Sequence, residues 1–204
     1  MWEQLLSFSF FTMLLALSPG PDNIFVLTQS LVNGSKKGIA TTAGLISGCI
    51  VHTTFLAFGV SAIIAASPLA ILGIKIIGAA YLLYLAIKVF RSPSTIDLSQ
   101  NVSSKSNWEL FKIGVIMNLV NPKVLLFFLA FFPSFLWNPD EGTVIQFYIL
   151  GITFMMVSFI IFSSIALLAG GISSFILKHK KAGFYLKWLQ IFVFLGIAVF
   201  ILFA

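Results

Sequence analysis

The chain has 204 residues, of which 59% are hydrophobic and only 9% are charged. A soluble domain is about 45–50% apolar and about 25% charged, so these charges cannot cover the surface of a soluble protein of this size. The net charge of +6 indicates loops that face an anionic membrane surface rather than nucleic acid. One cysteine and two histidines exclude an internal disulfide and a paired-cysteine metal site. The composition therefore indicates an integral membrane protein and argues against a soluble enzyme.

Six mostly apolar segments each reach the length of about 20 residues that a helix needs to cross a bilayer. In chain order they cover residues 5–31, 39–64, 68–90, 108–137, 143–172 and 183–203. Shorter segments separate them at residues 33–38, 65–67, 91–107, 138–142 and 173–182. The apolar runs are too long for barrel strands of about 10 alternating residues. We therefore predict an all-α polytopic membrane protein that forms one domain over residues 1–204.

Ten of the twelve lysines and arginines lie in three of the five predicted loops or at the helix ends beside them. They are Lys36, Lys37, Lys88, Arg91, Lys105, Lys112, Lys178, Lys180, Lys181 and Lys187. The other two loops and both termini carry no lysine or arginine. Because basic loops stay in the cytoplasm, we expect the three basic loops there and both termini outside.

Two proline motifs occupy matching positions in the two halves of the chain. Ser18-Pro19 lies near the middle of the first segment, and Asn121-Pro122 lies near the middle of the fourth. A short loop ending in glycine follows each segment, at residues 33–38 and 138–142. We predict a 3+3 inverted repeat, with halves over residues 1–90 and 108–204 and a cytoplasmic linker between them.

Proline inside a helix costs about 3 kcal/mol or more, but it is tolerated as the first helical residue after a serine or asparagine cap. Each motif therefore predicts the start of a second half-helix within one membrane crossing, and Gly20 and Pro21 extend the first break. Unwound backbone at membrane depth must be buried in protein or line a cavity, and paired breaks indicate a transporter binding site. The alternative is that the prolines only kink two helices.

Three charged residues, Asp22, Lys75 and Lys123, fall within the predicted spans. Each costs at least about 2.5 kcal/mol at a helix centre, so each needs a partner or water. Asp22 and Lys123 directly follow the two breaks, whereas the long side chain of Lys75 offers the alternative of reaching the outer interface.

These residues suit a zwitterionic solute. Half-helix N-termini attract a carboxylate, to which Lys123 or Lys75 adds charge, and Asp22 can accept an ammonium group or carry a coupling proton. Three asparagines supply further donors and acceptors: Asn23, Asn118 and Asn121. The alternative is a purely structural ion pair between Asp22 and a lysine.

Two other features of the second segment have competing interpretations. His52, near its middle, can relay protons or contact substrate, or it can simply hydrogen-bond to a neighbouring helix. Gly44 and Gly48 form a small-xxx-small motif that predicts close helix packing.

Catalytic signatures such as HExxH, GxSxG, a P-loop or a cysteine pair do not occur, so we expect no enzyme activity and no cofactor or metal. Without an ATP-binding segment, pumping requires an ion gradient or an external partner.

The run Ser18-Pro19-Gly20-Pro21-Asp22 and the run Asn118-Leu119-Val120-Asn121-Pro122-Lys123 resemble the LysE/RhtB family of bacterial amino-acid exporters. The resemblance covers essentially the whole chain and includes the glycines of the second segment and Lys75 with Gly78-Ala79-Ala80-Tyr81-Leu82 in the third.

The resemblance implies a six-helix secondary transporter of the bacterial inner membrane that exports neutral or zwitterionic amino acids, such as homoserine, threonine or leucine, driven by protons. Alternatives are a passive channel or facilitator and a non-transporting assembly subunit; a homo-oligomer also stays open. The predicted binding or coupling residues are Ser18, Pro19, Gly20, Pro21, Asp22, Asn23, His52, Lys75, Asn118, Asn121, Pro122 and Lys123.

Overall fold

The computed structural model describes residues 1–66, 68–94, 105–179 and 181–203. The α-helices are α1 Trp2–Leu17, α2 Pro21–Asn33, α3 Ser35–Phe55, α4 Ser61–Ala66, α5 Pro68–Arg91, α6 Asn107–Leu119, α7 Pro122–Phe131, α8 Thr143–Leu167, α9 Ala169–Lys178 and α10 Ala182–Phe203. A π-helical turn, Leu56–Val60, joins α3 to α4, and a 3₁₀ turn, Phe132–Phe135, extends α7. No strand occurs in the described ranges, which confirms the all-α prediction. Predicted loop residues Ser67, 95–104 and Lys180 lie outside those ranges, as does Ala204.

Four continuous helical stretches are long and apolar enough to cross a membrane. They are Ser35–Ile64, Leu72–Arg91, Thr143–Leu167 and Ala182–Phe203. Two further stretches pass the same test only as bent pairs: α1 meets α2 at 60°, and α6 meets α7 with its 3₁₀ turn at 56°. The described residues therefore contain four spans, or up to six if each bent pair is one span. This is the architecture of a multi-pass membrane protein.

The first break lies one proline later than the sequence predicted. We expected a new helix from Pro19 with Ser18 as its cap, but Ser18 ends α1, where its backbone N–H donates to the Leu14 carbonyl oxygen at 3.0 Å. Gly20 is the residue before α2, and Pro21 is its first residue. A proline pushes the preceding residue out of the helical region, and Pro19 and Pro21 together do this twice. The helix therefore restarts only after the second proline.

At the second break, an asparagine N-cap starts the new helix. Helix α6 ends at Leu119, and α7 begins at Pro122. The Asn121 side-chain oxygen accepts a hydrogen bond from the backbone N–H of Lys123 at 3.1 Å. This N-cap satisfies one of the donors that a helix start leaves free.

Two predicted loops are shorter than the sequence indicated. The loop at residues 33–38 is reduced to Gly34, whose φ of +88° suits glycine. The predicted span over residues 143–172 ends at Leu167, and the predicted loop over residues 173–182 is helical as far as Lys178. A short amphipathic helix, α9, replaces that loop because its apolar side chains keep a helical spacing.

Helices α3 and α6 lie in backbone contact. A Cβ atom on Gly44 would collide with the Phe111 carbonyl oxygen, and one on Gly114 would collide with the Thr41 carbonyl oxygen. Gly48 lies against the Asn118 side chain. The packing predicted from Gly44 and Gly48 is therefore confirmed, and it brings the end of α6 against α3.

A cluster of phenylalanines fills the protein between the second break and the loop before α8. Phe8 of α1 stacks on Phe131 of α7 with ring centroids 5.2 Å apart, and Phe128 stacks on Phe132 at 4.2 Å. The fully buried phenylalanines are Phe8, Phe127, Phe128, Phe131, Phe132, Phe135, Phe147 and Phe194. Phe8 also packs edge-to-face against Phe132 and Phe135, the arrangement that aromatic pairs prefer.

The opposite end carries the basic junctions. The Lys37 amino group donates to the Lys105 carbonyl oxygen, which joins the start of α3 to the start of α6. The Lys187 amino group donates to the Ser92 carbonyl oxygen at 2.8 Å, which joins the start of α10 to the end of α5. We call this the basic end and the other, whose loop before α8 carries Asp140 and Glu141, the acidic end.

Substitution of Gly44 by alanine should destabilise the protein by about 1–3 kcal/mol, because the new methyl group forces α3 away from the α6 backbone. Thermal unfolding of the purified protein in detergent measures the effect. Gly73→Ala on α5 is the matched control, since an added Cβ there meets nothing within 4 Å. Equal melting temperatures for the two variants would contradict the α3–α6 contact.

Candidate functional site

The two helix breaks meet through one hydrogen bond. The Asn121 side-chain amide donates to the Asp22 carboxylate at 3.2 Å. Asp22 is in the first turn of α2, and Asn121 caps α7. Residues 99 positions apart in the chain therefore lie together at the point where both helices are interrupted.

Asn23 satisfies the backbone freed by the first break. Its side-chain amide donates to the Ala16 carbonyl oxygen at 2.7 Å. In an unbroken helix that carbonyl would accept from the residue four positions later, which here is Gly20, beyond the end of α1. Asn23 thus replaces a missing helical hydrogen bond, which a buried carbonyl needs.

At the second break, His52 replaces a missing helical hydrogen bond. The helical partner of the Asn118 carbonyl would be the nitrogen of Pro122, which carries no hydrogen. His52 Nε2 lies 3.3 Å from that carbonyl oxygen, and the Asn121 backbone N–H donates to it at 3.2 Å. A carbonyl only accepts, so His52 carries a hydrogen on Nε2. The ring is buried, with 4% of its surface exposed.

A cavity of about 60 Å³ lies beside the joined breaks. Its polar lining side chains are Asp22, Asn23, Cys49, Asn118, Lys123 and Ser158. A buried water needs at least about 10–15 Å³ of such space, so the cavity has room for a few waters.

Two buried oxygens on the cavity lining lack a hydrogen-bond partner within the described part of the chain. They are the Asn118 side-chain oxygen and the Ser158 hydroxyl. An unsatisfied buried polar group costs about 1–3 kcal/mol, so both favour a polar guest. Ser158 was not predicted, because a lone serine in an apolar run has no sequence signal.

The amino group of Lys123 lies between an aromatic ring and the start of α2. It is 4.9 Å from the centroid of the Phe194 ring, a cation–π distance. It would also lie 3.4 Å from a Cβ atom on Gly20, the residue before α2. A positive side chain and a positive helix end thus adjoin Asp22, the acidic residue of that first turn.

A second, larger cavity of about 540 Å³, the vestibule, leads from the breaks towards the basic end. Pro19, Gly20 and Pro21 line it, together with the end of α5 and the first turns of α10. Its polar side chains include Ser92, Lys187 and Gln190. None of these three was predicted as a site residue, because only tertiary packing brings α5 and α10 to the first break.

Five residues of the predicted set line neither cavity: Ser18, His52, Lys75, Asn121 and Pro122. Lys75 is partly buried on α5, one turn before Gly78, which packs on Ala130 of α7. It lines neither the small cavity nor the vestibule. Ser18 is buried with its hydroxyl unpaired and adjoins Pro19. The structure therefore brings Asp22, Asn23, Asn118, Asn121 and Lys123 together, but not Lys75.

The family model for LysE type translocators matches residues 13–204. The chain belongs to the LysE type translocator family. LysE type translocators are membrane transporters, so the chain is a multi-pass membrane protein that acts on a small-molecule substrate.

Curated relatives agree with this LysE type assignment. The chain is 35% identical over 168 residues to the homoserine/homoserine lactone efflux protein of Salmonella typhimurium, which covers 82% of this chain and 81% of the relative. It is 31% identical over 161 residues to an uncharacterized membrane protein of Vibrio cholerae, covering 79% and 78%. No solved structure is significantly similar to the chain.

Substitution of His52 by phenylalanine should lower the free energy of unfolding by about 1–3 kcal/mol, because the Asn118 carbonyl loses a buried donor. His52→Gln keeps an N–H donor and should recover part of that loss. Thermal unfolding in detergent measures both. A His52→Phe protein with wild-type stability but without transport would instead support a direct role of the imidazole in function.

Proposed function

We propose that this LysE type translocator is a secondary transporter that exports neutral or zwitterionic amino acids or close derivatives. The observation that carries the proposal is the Asp22–Asn121 hydrogen bond, which joins two helix breaks beside a polar cavity. Paired breaks in two halves of a transporter favour a substrate site. The homoserine/homoserine lactone efflux protein of Salmonella typhimurium supports this class of substrate.

Opposite charges at the joined breaks match the two ends of an amino acid. Lys123 and the free N–H groups at the start of α2 suit a carboxylate. Asp22 suits an ammonium group. Asn23 and Asn118 line the same cavity and supply donors and acceptors along the substrate.

Alternating access would use the two halves as a 3+3 inverted repeat, with each bent helix pair forming one span. In the described state the vestibule reaches the breaks from the basic end, whereas buried phenylalanines lie between the breaks and the acidic end. Rocking of the halves would widen the 60 Å³ cavity and separate rings such as Phe8 and Phe131. The phenylalanine cluster would then act as the outer gate.

The basic end would face the cytoplasm, since basic loops are retained there. Both termini would then lie outside the inner membrane, and the vestibule would load substrate from the cytoplasm, as an exporter requires. Asp22 is the carboxylate next to the substrate, so we assign it the coupling proton. The proton gradient would drive export when Asp22 exchanges its proton for the ammonium group.

Liposomes that contain the purified protein should accumulate labelled homoserine when a pH gradient is imposed, and Asp22→Asn should weaken this by about 30-fold or more. The reason is that truncating one partner of a buried charged contact costs at least about 2 kcal/mol. Asp140→Asn, in an exposed loop, is the matched control and should transport normally.

Lys123→Gln should impair the transport of homoserine more than the transport of homoserine lactone, because the lactone has no free carboxylate.

Each alternative has its own outcome in that experiment. Homoserine flux that equilibrates but ignores the pH gradient identifies a passive facilitator. Complete absence of flux for homoserine and other amino acids identifies a non-transporting subunit. Wild-type flux and pH response in Asp22→Asn would remove Asp22 from the mechanism.

Introduced cysteines test the proposed sidedness. The single native cysteine, Cys49, is buried with 1% exposure, so it should give little background labelling. In intact cells a membrane-impermeant maleimide should label Asp140→Cys at the acidic end and spare Lys36→Cys at the basic end. Labelling of the second variant alone would reverse the orientation.

A further inference from the structure

A large apolar groove lies on the outer surface, away from the joined breaks. It has a volume of about 1110 Å³ and runs between α9 and the first turns of α10. Leu167, Phe175 and Tyr185 line it with 64%, 57% and 64% of their surfaces exposed. Pockets for small ligands span about 300–1,000 Å³, so the groove has room for a larger apolar molecule.

Basic residues form the rim of this groove. Lys178, His179 and Lys181 contribute to its lining, and all three are exposed. No acidic residue is among the described residues that line it. An apolar interior with a cationic rim is complementary to an amphiphile with an anionic head.

The position of α9 along the chain puts the groove at the membrane surface. Helix α8 has 25 residues and is therefore about 37 Å long, enough to cross the hydrocarbon core of about 30 Å. Only Leu168 separates it from α9. Helix α9 buries Ala169 and Ser173 but exposes Phe175 and Leu177, the pattern of an amphipathic helix at the headgroup boundary.

We propose that the α9–α10 groove binds one anionic phospholipid from the adjoining leaflet. An acyl chain would lie against Leu167, Phe175 and Tyr185, and the phosphate would be held by Lys178 and Lys181. A second copy of this chain fits less well, because a symmetric interface would bring the two cationic rims together.

The lipid would lie close to the candidate site. Ile172, Ile176 and Leu186 line the groove and also line a cavity of about 190 Å³ beside Pro19 and Asn23. One layer of side chains therefore separates the groove from the first break. The lipid proposal does not depend on transport, so it is tested by binding alone.

Native mass spectrometry of the detergent-purified protein tests the proposal with phosphatidylglycerol and, for comparison, zwitterionic phosphatidylcholine. The wild type should retain one phosphatidylglycerol in preference to phosphatidylcholine. The double variant Lys178→Gln/Lys181→Gln should bind phosphatidylglycerol about 25-fold more weakly, because each basic residue near an anionic headgroup contributes about fivefold. The double variant Lys36→Gln/Lys88→Gln removes the same charge from other exposed positions and should keep the preference.

A second variant fills the groove without changing charge. Gly171→Leu places a side chain where an added Cβ meets nothing within 4 Å, and leucine favours the helix over glycine, so the protein should fold. It should lose the retained lipid. Equal retention of the two lipids by the wild type, or equal loss in the two charge variants, would overturn the proposal. The proposal would also be overturned if the wild type formed a dimer without bound lipid and Gly171→Leu converted that dimer to a monomer.

Discussion

Backbone polar groups in a membrane protein must find hydrogen-bond partners inside the protein, and the two helix breaks leave several of these groups without a helical partner. Side chains around the breaks supply the missing partners. Asn23 donates to a carbonyl at the end of α1, Asn121 accepts from the first turn of α7, and His52 donates to the carbonyl that Pro122 cannot serve. The polar residues at the centre of the protein therefore serve first to pair the backbone groups that the helix breaks leave free. The side chains of Asp22 and Lys123 take no part in this backbone pairing, and we propose that they bind the substrate.

The backbone contact between α3 and α6 makes that arrangement specific. Because Gly44 and Gly114 let the helices touch, the end of α6 lies within reach of His52. The same approach buries Asn118 against Cys49, to whose sulfur its amide donates at 3.4 Å. A looser crossing would remove the His52 donor from the carbonyl at the second break.

The two ends of the protein differ in charge and in packing. Towards the acidic end, phenylalanine rings pack against one another by stacking and edge-to-face contacts. Towards the basic end, lysines hold helix ends through carbonyl oxygens while the vestibule stays open. At that same end, Lys178 and Lys181 border the apolar groove between α9 and α10. The fold thus combines an end packed with aromatic rings and an end that carries basic residues and two larger cavities.

The sequence by itself determined the membrane environment, the all-helical class, the close packing at Gly44 and Gly48 and the family, because composition, span length and short motifs are local properties. It marked both proline motifs but placed the first helix start at Pro19 instead of Pro21, since two nearby prolines compete for the same boundary. Only the tertiary structure decided that Asp22 meets Asn121, that Ser158 and Gln190 line cavities, and that Lys75 lies elsewhere. The physical reason is that these relations depend on helix rotation and tilt, which are fixed by contacts between distant segments and leave no periodic pattern in any one of them.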